Sequence, residues 1–425
     1  MNYFTDIMKQ FTLEMADIIK ISDTFAAELN LPKEQSDLKM LSSYLSYPTS
    51  LSIGNYLALD LGGSNVRVSL IALYGNKNYT ILKSIKKPLK LSGQYNYLDK
   101  TATGSELFNF IATMIKEIIT EGEQYYLGHT FSFPFTQTNI DEAYLIEWTK
   151  EFKTKAVEGQ NVTALLVTAL NKLGIFNVEP VAVINDTVAT FLAAAYTNNN
   201  VIIGSICGTG HNTACLIGDT IFNLESGNFS KIPLNKYDEQ FDLLTEKPKK
   251  QLLEKLSAGR YLGEVVRTVL LDLVDNNVFN STTEAKLILK EPYIINTEFI
   301  STILNSGCSN TNKIFAKINI SFKDQYQKEI FELVKQIVIR AASLVAATYL
   351  GIIKNNSSNT KNDLVIAVDG SLYEKMPFYS ETITKIILAG KKSNRINNNI
   401  TVVFENRGSE LGAAIAAAIV KNNSH

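Results

Sequence analysis

Residues whose types and spacing suit chemistry cluster in a few short stretches. In PVAVINDTVATFLAAAY an apolar run stops at Asn185 and Asp186 before an Ala-rich segment resumes, so an amide and a carboxylate occupy a strand-to-helix junction. An Asp there is a helix cap contributing about 1 kcal/mol, or a general base that takes a proton from a reacting group. Both readings stand on local pattern. Three Gly-containing turns, DLGGSNVR, CGTGHN and DGS, lie at the ends of apolar runs. Gly lets successive backbone N–H groups converge on an anion. None of the three matches a P-loop or a full dinucleotide fingerprint. Asp60, at the first turn, suits a hydrated Mg2+ held through water, or it satisfies turn amides. In GHTFSFPF and EWTKEF, Ser132 stands between aromatic residues and Thr149-Lys150 follows the only tryptophan, Trp148. Neutral polar groups among apolar walls suit a polyol, because unpaired buried polar groups reject the wrong ligand. A surface Thr-Lys pair after a core strand explains the same pattern. Glu225 and Glu264 add carboxylates near glycines, or are solvated side chains.

The elements that must position these residues follow from periodicity. Residues 1 to 48 read as helical, with a break at Pro32. From residue 55 the pattern turns to strands: NYLALDL, the Gly turn, NVRVSLIAL and NKNYTILKSI make an antiparallel meander. An amphipathic helix over 103 to 122, a strand at YYLGHTFSFPF, a helix ending at Gly174 and a strand at VEPVAVIND follow. Strand, Gly turn and strand then return at 201 to 218, which reads as an internal duplication or equally as an ordinary hairpin. A long helix from about 322 to 353 precedes a strand ending at VDGS. Strands alternating with helices over 425 residues predict an α/β chain of two domains with a cleft, or one large α/β unit with an insertion.

Charge and composition narrow the class. With 41 Lys plus Arg against 42 Asp plus Glu and no basic block, nucleic acid is excluded as an expected partner. Three cysteines without close pairing fit a reducing compartment, and three histidines leave little for a His relay or metal cluster. The chemistry must lean on carboxylates, lysine and backbone amides. The N-terminal stretch reads as an amphipathic helix, not a signal peptide. The apolar run LGAAIAAAIV falls short of the ~20 residues that cross a bilayer. The expectation is a cytoplasmic chain without a membrane partner.

Together LALDLGGSNVRV, GHTFSFPFTQ leading to EWTKEF, EGQNVTALL, VAVINDTVAT, GTGHNTA, EKLSAGRYLGEVVR and VDGSLY resemble, in order and spacing, the blocks of the eukaryotic-type hexokinase family, from about residue 10 to 420. The resemblance implies the two-domain actin-like ATPase fold, a duplicated ribonuclease-H-like core with mixed sheets flanked by helices. It implies a small domain of 54–184 plus the C-terminal helix 410–425, and a large domain of 1–53 plus 185–409. It implies transfer of the γ-phosphoryl of Mg-ATP to the 6-hydroxyl of glucose or a related hexose such as mannose, fructose or glucosamine, in a monomer or homodimer. By motif, Asp186 matches the base and Lys150 a residue that contacts sugar and offsets phosphoryl charge. Ser132, Phe133, Pro134, Thr149, Asn185, Asn212, Glu225 and Glu264 match the sugar site. Asp60, Gly62, Gly63, Ser64, Asn65 and Arg67 match the first phosphate turn, and Gly208, Thr209 and Gly210 the second. Gly370, Ser371 and Gly412 match the adenosine wall. The helix N-terminus would hold Asp186 ionised as well as oriented. A non-catalytic sugar sensor or an actin-like ATPase switch on the same fold are the rival expectations. NLESGNFSK stands where the family has an Asn-Thr-Glu-Trp-Gly type of stretch, so the chain departs from it in loops that shape the sugar site.

Overall fold

Two mixed sheets carry the chain in a computed structural model that describes residues 3–48, 53–149, 151–276, 283–356, 363–394 and 396–423. The first sheet runs Val178–Ile184, Tyr125–Phe131, Ile53–Leu61, Asn65–Gly75, Asn78–Pro88. The second runs Leu41–Ser46, Thr220–Asn223, His211–Ile217, Val201–Cys207, Leu364–Asp369, Ile400–Phe404. Each contains an antiparallel meander of three consecutive strands whose first strand pairs in parallel with a later one, and that one with a later one again. The duplication expected from the repeated strand, Gly turn and strand is thus visible as one strand order used twice.

The helical reading of residues 1 to 48 holds for Tyr3–Gln10 and Met15–Glu28 but not for the end of that stretch. Leu41–Ser46 is instead an edge strand, with Leu41 opposite Asn223 and Ser42 opposite Phe222. Its inward residues Ser43 and Leu45 are buried and the intervening Tyr44 and Ser46 are exposed. That period of two is the strand signature.

Two Ala-rich helices lie between the sheets. Asp186–Thr197 packs on the second sheet's Val201–Cys207 strand, Gly408–Asn423 packs on the first sheet, and the two helices pack on each other. The small alanines let backbones approach closely. The first sheet's other face is covered by Gly104–Ile118 and Val162–Lys172, the former begun by a Thr103–Glu106 capping box. Behind the second sheet the helix Gln327–Asn356 runs through the largest core. Among the described residues the segment Asp324–Asn356 alone is long and apolar enough to cross a membrane, and 89% of its apolar window is buried inside the fold. Where the lobes approach, Lys247 of the second lobe pairs with Glu147 of the first at 2.6 Å, and the Tyr44 hydroxyl donates to the Gln137 carbonyl at 3.2 Å.

Candidate active site

Asp60, Ser132 and Asn185 are brought to one edge of the first sheet by the register. Asp60 pairs with Thr130, Leu61 with Phe131, and Thr130 with Ile184, so parallel strands end together there. The second sheet does the same with Cys207 and Asp369, since Ile206 pairs with Asp369. Ligands of open α/β sheets bind outside such carboxyl ends.

The cap of the Asp186–Thr197 helix is Asn185, whose side chain accepts from the Thr187 N–H at 3.1 Å and the Thr187 hydroxyl at 2.8 Å. Asp186 is therefore not the helix cap, one of the two roles that local pattern allowed it. It is the first helical residue, and it is partly buried. Opposite lies a polar network. The Asn212 amide donates to Asn223 at 2.9 Å and to Glu225 at 3.2 Å, and the Asn223 amide donates to Glu225 at 2.8 Å. Glu225 holds φ at +52°, a strained value for a non-glycine residue of the kind that gathers at ligand sites. Burial raises its carboxyl pKa, Asp186 adds to that rise, and the amides of Asn223 and Asn212 oppose it. Asn185 and Asn223 also line a cavity of ≈ 190 Å³ with Ser43, Phe135, Gln137 and Val188.

Ser132, Phe133 and Pro134 follow the Tyr125–Phe131 strand, and Phe133 is buried against an aromatic stack. Trp148 meets Phe133 edge-on at 4.7 Å and stacks on Phe152 at 4.6 Å, and its indole N–H donates to the Thr154 carbonyl at 2.8 Å. That stack fixes the chain leading into Thr149. Lys150 lies outside the described residues.

The first Gly turn closes the hairpin between Ile53–Leu61 and Asn65–Gly75, with the Gly62 N–H donating to the Asn65 carbonyl at 3.1 Å and the Asn65 amide to the Ser64 hydroxyl at 2.9 Å. The second, Gly208-Thr209-Gly210, sends its Gly208 and Thr209 carbonyls to the first amides of the Gly259–Asp275 helix, at 2.9 and 3.0 Å. Gly370, with φ at +121°, sits on it so closely that a Cβ would stand 2.3 Å from the Cys207 carbonyl oxygen, and Ser371 begins the next helix. The second and third turns thus form one bare-backbone surface that any side chain would fill, which suits a nucleotide.

Asp369, at the end of its strand, was not singled out by sequence. Burial first, then the charges of Glu405, Asp186 and Asp60, push its carboxyl up to about 7, against a lowering bond from Gly370. The aspartates Asp60, Asp186 and Asp369 therefore share one field. Among the described residues no group of three or more Asp, Glu, His or Cys converges as a metal cage. Acids near one another without a cage fit a divalent ion that keeps its waters and takes phosphate oxygens.

Two expected site residues are placed elsewhere, and a third is already paired. Glu264 is buried and bound in a fork by Arg267 at 2.9 and 2.7 Å, and accepts the Tyr293 N–H at 2.7 Å, so its carboxylate is consumed inside the lobe. Glu254, ten residues earlier, occupies the edge of the second turn instead: it accepts the His211 N–H at 3.1 Å, and a Cβ on Gly210 would meet it at 2.9 Å. Gly412 is buried against the Asp186–Thr197 helix, not exposed as a wall, because the two helices cross there. Arg67 extends from the first turn, but its guanidinium pairs with Glu410 at 3.0 Å.

Two sequence profiles of one family, both described as hexokinase, match residues 3–196 and 202–419. Hexokinase-7 of Oryza sativa subsp. japonica is 32% identical over 90% of this chain and 88% of its own length. Hexokinase-1 of Saccharomyces cerevisiae is 33% identical over 96% of this chain and 90% of its own length. A hexokinase from Schistosoma mansoni, solved complexed with glucose, superposes with a TM-score of 0.82 at 29% identity, covering 98% of each chain. With matching profiles over both halves, relatives similar along nearly the whole length and a shared duplicated fold, this chain belongs to the hexokinase family.

Proposed function

We propose that the chain, a hexose phosphotransferase by family, moves the γ-phosphoryl group of ATP onto the 6-hydroxyl of glucose or a closely related hexose, with Asp186 as the base. The observation that carries this is the place of Asp186: first residue of a helix capped by its neighbour, within electrostatic reach of Glu225 on the polar network and of Asp369 beside the third Gly turn. A base there would stand between a patch of amides and carboxylates suited to a polyol and a bare backbone surface suited to phosphates.

Asn185, Asn212, Glu225, Ser132 and Thr149 would hold the sugar hydroxyls, joined by Glu254 and, through its bonds to Asn212 and Glu225, Asn223. Asp186 accepts the 6-hydroxyl proton as the oxygen attacks, a contribution of roughly 10²- to 10⁴-fold. The amides of Gly63 to Asn65 and of Thr209 and Gly210 would cradle the polyphosphate, those of Gly62 and Gly208 being spent within their turns, and Lys150 would offset charge that develops on the transferred group. Asp60, with Asp186 and Asp369 near it, would hold Mg2+ through water; bound there, the ion neutralises phosphate charge. Phosphoryl transfer asks mainly for such positioning and charge stabilisation. Approach of the two lobes over the sugar excludes water as a rival acceptor.

The test is ADP release with glucose, mannose, fructose and glucosamine, each with ATP and with polyphosphate. Release that requires a hexose supports the reading. Equal release without sugar points to an ATPase switch, and sugar binding without release points to a sensor.

A further inference from the structure

Glu410 is a carboxylate with 4% of its side chain exposed, in the first turn of the Gly408–Asn423 helix. One oxygen accepts from the hydroxyl of Ser69 and, at 3.3 Å, from that of Ser84, two residues paired across neighbouring strands of the first sheet. The other oxygen accepts from Arg67 Nη1 at 3.0 Å. The two partners differ in burial: 31% of the Arg67 side chain is exposed. Arg67 is the third residue of the strand that leaves the first Gly turn at Asn65, directly across from Asp60.

A buried ion pair is a poor device for stability alone, since apolar residues of the same volume serve as well or better. What this pair does provide is direction. The hydroxyls anchor the carboxylate to the sheet, and the carboxylate fixes one arm of the planar guanidinium of a residue paired with Asp60 beside the turn. A guanidinium presents its donors as a rigid fork matched to phosphate oxygens, so fixing one arm fixes the others. The anchor cannot drift from the base. The Thr130 hydroxyl donates to the Ser409 carbonyl at 2.8 Å, and Gly412 is pressed on Ala189, three residues beyond Asp186.

We propose that Glu410 is a positioning residue for nucleotide binding: it holds the Arg67 guanidinium at the first Gly turn, in register with the helix that carries Asp186. This rests on the reading of that turn as a polyphosphate site. The experiment measures ADP affinity by calorimetry in the presence of glucose, the KM for ATP and for hexose, and thermal stability, in wild type, Glu410→Gln, Arg67→Ala and the double variant. Glu410→Gln is expected to weaken ADP binding and raise the ATP KM about 10-fold, the scale of one charge-assisted hydrogen bond. The hexose KM should stay within twofold, and the double variant should be no worse than Arg67→Ala, because both changes remove one interaction. Glu410→Asp keeps the charge but withdraws it by one methylene; it should lie between wild type and Glu410→Gln, and it decides the matter if the Gln variant does not fold. Unchanged ADP affinity in a folded variant, additive losses, or equal rises in both KM values would overturn the proposal. Wild-type protein that releases no ADP in response to sugar would instead defeat the hexose kinase reading, whatever these variants do.

Discussion

Gly412 lies so close to the backbone of Ala189 that a Cβ would stand 2.1 Å from the Ala189 carbonyl oxygen. The helix of the base and the C-terminal helix cross at this point, and neither backbone can yield without moving Asp186. Gly412→Ala is therefore expected to lower stability by about 1–3 kcal/mol, the cost of overpacking a filled interior. Turnover should fall with it. Thermal melts and kcat measured together check this, and an unchanged melting temperature would show that the crossing has slack.

Asp186→Ala should reduce kcat by at least ~10²-fold, the lower bound for a lost general base. Because Asn185 and not Asp186 caps the helix, the same variant should melt close to wild type. Asn185→Ala behaves in the opposite sense on stability, losing a cap of about 1 kcal/mol. Near-normal turnover in Asp186→Ala would remove the residue from the chemistry.

Glu254 and Glu264 make a matched pair of tests. Glu254→Gln should raise the hexose KM about 10-fold with little change in melting, as loss of one charged hydrogen bond predicts. Glu264→Gln leaves Arg267 buried without its counter-ion, so roughly 3–5 kcal/mol of stability should be lost, with the hexose KM unaltered where the protein is folded. The reverse pattern would return Glu264 to the sugar site.

Acid should destabilise the fold through His129. Its ring is fully buried edge-on to Phe131, with neither nitrogen hydrogen-bonded, and burial pushes its pKa down to about 3. The unfolded chain takes up this proton near pH 6.5 and the native state does not, so stability is lost as pH falls below about 6.5, by about 2 kcal/mol at pH 5. His129→Leu should flatten the denaturant midpoint between pH 5 and 7. His211, lowered to about 4 chiefly by burial, leaves part of the slope in place. A profile identical to wild type would contradict this account.

Glucose should change the emission of Trp148, the only indole in the chain. Its ring abuts Phe133, next to Ser132, and its backbone leads into Thr149. Movement of either segment toward the sugar alters the ring's surroundings. A spectrum unchanged at saturating glucose would separate this aromatic stack from the sugar response.

The strand-to-turn junctions were legible because each is local: an apolar run ending in Asp60-Leu61-Gly62, in Cys207-Gly208 or in Asn185-Asp186 needs no distant residue to be recognised. The repeated meander was legible for the same reason. Choosing between Glu254 and Glu264 was not a local matter. They stand ten residues apart, in helices Leu252–Ser257 and Gly259–Asp275 separated by Ala258, and only packing decides which faces Gly210 and which meets Arg267. Asn223 and Asp369 escaped notice because an amide or acid at a strand end has no pattern of its own. Glu410 reads as an ordinary acid of a first helical turn until Ser69, Ser84 and Arg67, more than 300 residues away in sequence, close around it. The edge strand Leu41–Ser46 is too short and too rich in serine to announce itself beside two helices.

The Lys247–Glu147 contact between the lobes has both side chains about half exposed. A pair so open to water gains little, in the range of 0–1 kcal/mol, and that little is screened by salt. The mouth of the cleft is then fastened about as firmly as thermal agitation can unfasten it. Physiological ions alone suffice to free this contact, so product escape has no strong electrostatic clasp to break there.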